Sequence, residues 1–195
     1  MIIGITGGTG CGKTTLLNLI HQQGGLVLDC DVIYHQLLQT DEAMLSAIEH
    51  RFPGVVEDGS LNRKKLGNIV FADEAALRDL NAITHTAVKQ EVLRQLEGNP
   101  ALAAIDAIGL FEGSLAELCD VTVAITAPEE ARIARLIARD GISESYARSR
   151  IAAQHADSWF HQRCDITLEN SGSIDAFATK CIAFLHTLGI MKENS

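Results

Sequence analysis

"GITGGTGCGKTT" spans residues 4–15, directly behind the apolar start Met1-Ile2-Ile3. Gly7, four further residues and then Gly12-Lys13-Thr14 satisfy G-x-x-x-x-G-K-[ST], the spelling of a phosphate-binding loop set between a strand and a helix. Both neighbours fit. Residues 2–6 form a short, β-branched-rich run, and Leu16, Leu17, Leu19 and Ile20 keep a helical face apolar until Gly24-Gly25 ends it. Glycines admit backbone conformations closed to other residues, so successive N–H groups can converge on phosphate oxygens at the positive end of the following helix. The spacing thus predicts Gly8, Thr9, Gly10, Cys11, Gly12, Lys13, Thr14 and Thr15 as the cradle of a nucleoside triphosphate. Lys13 is expected on the β/γ-phosphates, and the Thr14 hydroxyl on Mg²⁺.

The chain of 195 residues suits one domain with insertions, and no second phosphate loop or repeat interrupts it. Sixteen basic against 25 acidic residues give a net charge of −9, which disfavours a general nucleic-acid or anionic-membrane surface. No apolar run reaches bilayer-spanning length, and the first residues enter a strand without a basic, cleavable leader, so a cytoplasmic protein is expected. Cys11, Cys30, Cys119, Cys164 and Cys181 lack C-x-x-C or Cys/His ligand spacing and read as reduced thiols filling small sites. The histidines show no H-x-x-x-H or H-E-x-x-H arrangement that would suggest zinc.

Residues 26–29, 101–106 and 121–125 are further apolar runs, implying a parallel sheet covered on both faces, with a weaker strand at 165–168. An α/β fold with a parallel sheet of about five strands flanked by helices follows. Roughly seventy residues of mostly helical pattern separate the second and third strands, more than a crossover helix needs, and form an inserted region fit for a second substrate. Helices are expected at 129–140, 143–155 and 174–188, with Gly189 as the last stop and 192–195 as a frayed tail. Ser143 opens the second of these without the acidic residue that would complete a capping box.

Ligands of open α/β sheets collect beyond the carboxyl ends of the strands, and three acidic residues sit there. Asp29 and Asp31 follow the second strand in "LDCDVI", and Asp106 closes the third. Asp106 suits Mg²⁺, directly or through water. Asp29 or Asp31 suits a base near an acceptor hydroxyl, and capping of helices is the plain alternative for all three. "DAIG" at 106–109 matches the D-x-x-G of switch GTPases, but no N-K-x-D accompanies it. Arg132, Arg135 and Arg139 share one side of a helix, either to close over phosphates or as a solvated basic face. Trp159-Phe160 reads as packing or a lid contact.

With the loop, the D-x-D and the helical insertion in place, the sequence resembles the dephospho-CoA kinases. "DGSLNRKKLGNIVF", "LNAITH", "GLFE", "IARDGIS", "RIAAQ" and "ENSGS" carry the resemblance over nearly the whole chain. It implies a single kinase domain over 1–195, with an acceptor-binding helical insertion at approximately 32–100 and a lid at approximately 139–162. It implies ATP and Mg²⁺ as cofactors and transfer of the γ-phosphate to the ribose 3′-hydroxyl of dephospho-CoA, in a monomer or weak homo-oligomer. Asp31 matches the family's base. Lys13 and Thr14 match its phosphate and Mg²⁺ residues, Arg63 and His85 its acceptor side, and Arg139 its lid arginine. Asn170 and Gly172 resemble the turn near adenine. Four places depart from the family pattern: Tyr34-His35 stands where an arginine is usual, Thr86 replaces a proline, Ile108-Gly109 alters P-L-L-F-E, and residues 155–159 lack the S-R-E-E-R arginine. From the residues alone, a kinase for another metabolite or a nucleotide-gated binding module stays open.

Overall fold

The computed structural model describes residues 1–191, so the tail expected at 192–195 lies outside the described residues. The chain divides into two compact units, one of residues 1–27, 100–110 and 116 onward, the other of 28–99 and 111–115.

The first unit is built on a sheet. The sheet's strands are β1 (Ile2–Thr6), β2 (Leu26–Asp29, whose last two residues count with the second unit), β5 (Ala103–Asp106), β6 (Val121–Thr126) and β7 (Ile166–Glu169), in the order β2-β5-β1-β6-β7. β1 runs parallel to β5 and β6, and β6 to β7, which is why apolar runs rather than alternation spell these strands. The helices around it are α1 (Lys13–Gln22), α6 (Glu129–Asp140), α7 (Glu144–Ala152), α8 (Asp157–Arg163) and α9 (Ile174–Thr187). Ile3 and Ile5 of β1 and Val123 and Ile125 of β6 are fully buried beneath Leu16 and Ile20 of α1 and Phe177 and Leu185 of α9. Each such side chain withdraws from water at a gain of about 1.5–3 kcal/mol. That packing anchors both ends of the phosphate loop, since β1 delivers the chain to it and α1 carries it away.

The second unit is helical: α2 (Cys30–Thr40), α3 (Glu42–Arg51), α4 (Arg63–Val70) and the 23-residue α5 (Glu74–Leu96). α2, α3 and α4 all pack on α5, where Ala76, Thr84, Ala87, Val88 and Val92 are buried. Every one of these helices starts on a side-chain cap: Asp29 for α2, Asp41 for α3, Asn62 for α4 and Asp73 for α5.

Three expectations shift. The strand expected at 101–106 begins at Ala103, because Ala101 and Leu102 give their carbonyls to the Met1 amino group and the Leu26 N–H. The helix expected at 143–155 stops at Ala152, and a separate α8 follows it. The insertion also holds a small antiparallel hairpin, β3 (Val56–Glu57) and β4 (Ser60–Leu61), turned by Asp58 (φ 50°) and Gly59 (φ 77°). Its two-residue strands are too short to leave a period in the sequence.

Candidate active site

Helix α1 begins without a side-chain cap, and its N-cap Gly12 sits in the left-handed region at φ 94°. The N–H groups of Lys13 and Thr14 in its first turn have no intrahelical carbonyl to reach, so the position is open to an anion. The loop before it shows why they are free to point that way. Gly7 O accepts from Lys13 Nζ at 3.2 Å, and Gly8 O from Cys11 N at 3.2 Å. Thr9 O accepts from Arg132 Nε at 2.9 Å, Gly10 O from Arg135 Nη1 at 3.1 Å, and Cys11 O from Asn170 Nδ2 at 2.9 Å. Each carbonyl from Gly7 to Cys11 is thus committed to a donor of the protein, three of them cationic side chains.

Lys13 completes the electrostatics. Its ammonium lies 3.8 Å from Asp106 Oδ1, both side chains largely withdrawn from water. A carboxylate at the end of β5 therefore stands beside the loop, as its place in the sequence implied. Asp106 is not a helix cap. Among the described residues no cluster of three or more His, Cys, Asp and Glu side chains forms a metal cage.

The three arginines of α6 do not form a solvated face. Arg132 is only 5% exposed, and Arg135 bonds the Gly10 and Cys11 carbonyls and, at 3.4 Å, that of Asn170. Only Arg139 is exposed, and it grips Asp140 through Nε at 2.6 Å and Nη2 at 3.0 Å. Asn170 is buried, and its side-chain amide latches the loop rather than standing clear of it. Cys11 is fully buried, and burial pushes its thiol up from the ordinary range against the pull of Arg132 and Lys13.

In the helical unit the two aspartates of "LDCDVI" part company. Asp29 Oδ1 accepts from the Asp31 and Val32 N–H groups at 2.9 and 3.0 Å, so this oxygen starts α2. The Asp31 carboxylate is exposed and takes neither cap bond. The Asp31 carbonyl lies 2.6 Å from His35 Nδ1, and a carbonyl only accepts, so that nitrogen carries the proton. His35 Nε2 is left to accept from Arg63 Nη2 at 3.0 Å. His35 and Arg63, with Gln39 and Ser60, line a cavity of about 290 Å³. His85 lies half-buried on α5 and does not line it.

Gln154 and Asp157 went unnoticed as site residues. Gln154 Oε1 accepts from Thr9 N at 2.8 Å and from Arg132 Nη2 at 3.1 Å, and Asp157 Oδ1 lies 3.8 Å from Arg132 Nη1. Only "RIAAQ" marked the first of them. Downstream, Trp159 is stacked on His155 at 3.9 Å, with the Arg163 guanidinium 4.2 Å from its ring centre.

A family model described as dephospho-CoA kinase matches residues 1–176. The dephospho-CoA kinase of Symbiobacterium thermophilum is 40% identical over 181 residues, covering 89% of this chain and 75% of that one. The solved structure of TT1252 from Thermus thermophilus superposes with a TM-score of 0.80 at 32% identity, covering 96% of this chain and 97% of its own. A dephospho-CoA kinase from Campylobacter jejuni shares the fold, with a TM-score of 0.67 at 24% identity over 97% of this chain and 98% of that one.

Proposed function

Because the chain belongs to the dephospho-CoA kinase family, which transfers phosphate from ATP to dephospho-CoA in the last step of CoA synthesis, we propose that the loop of residues 8–15 cradles the ATP phosphates and that Asp31 serves the acceptor. The commitment of every carbonyl from Gly7 to Cys11 supports the first half of this reading. A peptide whose C=O is held by a cation presents a more positive N–H on its other side, and negative charge spreads over the phosphate oxygens as transfer proceeds. Lys13 adds its ammonium to the same charge, exchanging Asp106 for the β/γ-phosphates.

Thr14 and Asp106 offer a hydroxyl and a carboxylate, hard oxygen donors that would hold Mg²⁺. When bound, Mg²⁺ would offset the negative charge of the phosphates as transfer proceeds. On the acceptor side, Asp31 takes the proton of the ribose 3′-hydroxyl as it attacks in line, a role assigned to it rather than to Asp29 because one Asp29 oxygen already accepts the two cap bonds of α2. Arg63, held by His35, and His85 on α5 are assigned to the acceptor. Arg139 belongs to the segment of approximately 139–162 that we assign as the lid, and Asn170 backs the nucleotide site through the loop. No helix among the described residues is long and apolar enough to cross a membrane. With a net charge of −9, a cytoplasmic monomer or weak homo-oligomer without nucleic-acid or membrane partners completes the reading.

The test is product mass after incubation with Mg²⁺-ATP and dephospho-CoA beside adenosine, AMP, CMP and shikimate. CoA is expected. Preference for another acceptor, or ATP hydrolysis that needs no acceptor, would overturn the reading.

A further inference from the structure

Arg132 presents an anomaly that stability does not explain. A guanidinium with 5% exposure has lost most of its hydration, and a buried ion pair is often no more stable than an apolar side chain of the same volume. Its acidic partner is no strong compensation, since Asp157 Oδ1 stands 3.8 Å away on a side chain 39% exposed. What the guanidinium does meet closely is one peptide unit of the phosphate loop and the group that holds the neighbouring one. Nε donates to Thr9 O at 2.9 Å, while Nη2 donates to Gln154 Oε1 at 3.1 Å, the same oxygen that accepts from Thr9 N at 2.8 Å. Both polar backbone groups of Thr9 are thereby fixed, and the loop turns about that residue.

A second observation points the same way. A Cβ on Gly8 would come within 2.2 Å of Arg132 Nη2 and 3.1 Å of Gln154 Oε1. Any side chain on Gly8 would have to push the Arg132 guanidinium aside, so the glycine leaves room for the approach of this pair.

We infer that Arg132 and Gln154 are positioning residues that set the curvature of the phosphate loop at Thr9 without themselves touching nucleotide, so that the segment bearing Gln154 controls affinity for nucleotide. The inference rests on the loop's role in binding ATP. It distinguishes this pair from an arginine that closes on the transferring phosphate. A γ-phosphate contact favours ATP over ADP, whereas loop curvature serves both.

The experiment measures Kd for Mg²⁺-ATP and Mg²⁺-ADP by calorimetry, without acceptor, on the full chain and on Arg132→Met, Arg132→Lys, Gln154→Leu and the Arg132→Met/Gln154→Leu pair. Melting temperatures are taken alongside. Arg132→Met and Gln154→Leu should each weaken ATP and ADP by the same factor, roughly ten- to a hundredfold, the worth of a bond to a charged group. Lysine at 132 retains one donor for Thr9 O and should recover part of the loss. The pair should lose less than the product of the singles, because both act on one residue, Thr9, and bond each other. Should Arg132→Met fail to fold, Gln154→Leu alone decides, since it leaves every charge in place. A loss confined to ATP would make Arg132 a catalytic residue and overturn the inference. Unchanged affinities, at whatever melting temperature, would reduce the pair to a structural contact and overturn it equally. Neither failure touches transfer to dephospho-CoA, which is read separately.

Discussion

Lys13 Nζ stands 3.8 Å from Asp106 Oδ1 and 3.2 Å from the Gly7 carbonyl oxygen. The ammonium is thus held at the mouth of its own loop by a carboxylate that a triphosphate would replace. Lys13→Ala should lower turnover on the order of a hundredfold or more, through lost stabilisation of the transferring phosphate. Steady-state turnover with Mg²⁺-ATP and dephospho-CoA checks it, and near-normal turnover would remove Lys13 from the chemistry.

The proposed base Asp31 and the helix cap Asp29 can be told apart by substitution. Asp31→Asn keeps the shape and removes the proton acceptor, so transfer should fall by about a hundredfold or more while ATP affinity holds. Asp29→Ala should cost about 1 kcal/mol of stability through loss of the α2 cap. Chemical denaturation read beside turnover tells the two apart, and loss of ATP affinity in Asp31→Asn would contradict the assignment.

Four of the five cysteines should resist alkylation at pH 8. Burial pushes the Cys119 thiol up to about 12 and those of Cys164 and Cys181 to about 11, and raises Cys11 in the same direction. Thiolate, the reactive form, is scarce at all four. Mass spectrometry after brief iodoacetamide treatment should find these four unmodified in the native protein and all modified in denaturant. Rapid labelling of native Cys11 would show instead that the loop opens readily.

Asp140 gives a pH signature. Arg139 first, and Arg150 after it, hold its carboxyl at about 2, below the ordinary 3.8. A folded pKa below the unfolded one contributes stability that is complete above about pH 4 and is lost as pH falls toward 2. The melting temperature of Asp140→Asn should therefore lie below that of the parent at pH 5 and converge with it near pH 2. Parallel curves across that range would show that the ion pairs add nothing.

The legible parts of this chain were those where one residue type has one physical reason to be there. Gly7, Gly12, Lys13 and Thr14 constrain backbone and charge together, and the apolar runs at β1 and β6 admit no other layer than a covered parallel sheet. Arg132, Arg135 and Arg139 illustrate what the sequence withholds. Their spacing puts them on one side of α6, yet it cannot say whether that side meets water or the loop carbonyls, because the direction depends on how α6 packs. Gln154 and Asp157 were hidden for the same reason: their partners are distant in sequence, at Thr9 and Arg132. The hairpin at Asp58-Gly59 carried a turn signal but strands too short to register. Asp29 and Asp31 were indistinguishable as letters, and a cap bond 2.9 Å long separates them.

Helix α5 has a consequence of another kind. Its 23 residues form a rod of about 34 Å, against which α2, α3 and α4 each pack. Substitutions on the outward faces of those three helices can therefore be accommodated while the rod preserves their registration. Tyr34-His35 on α2, where the resemblance to the family expects an arginine, is a change of the kind this layout accommodates.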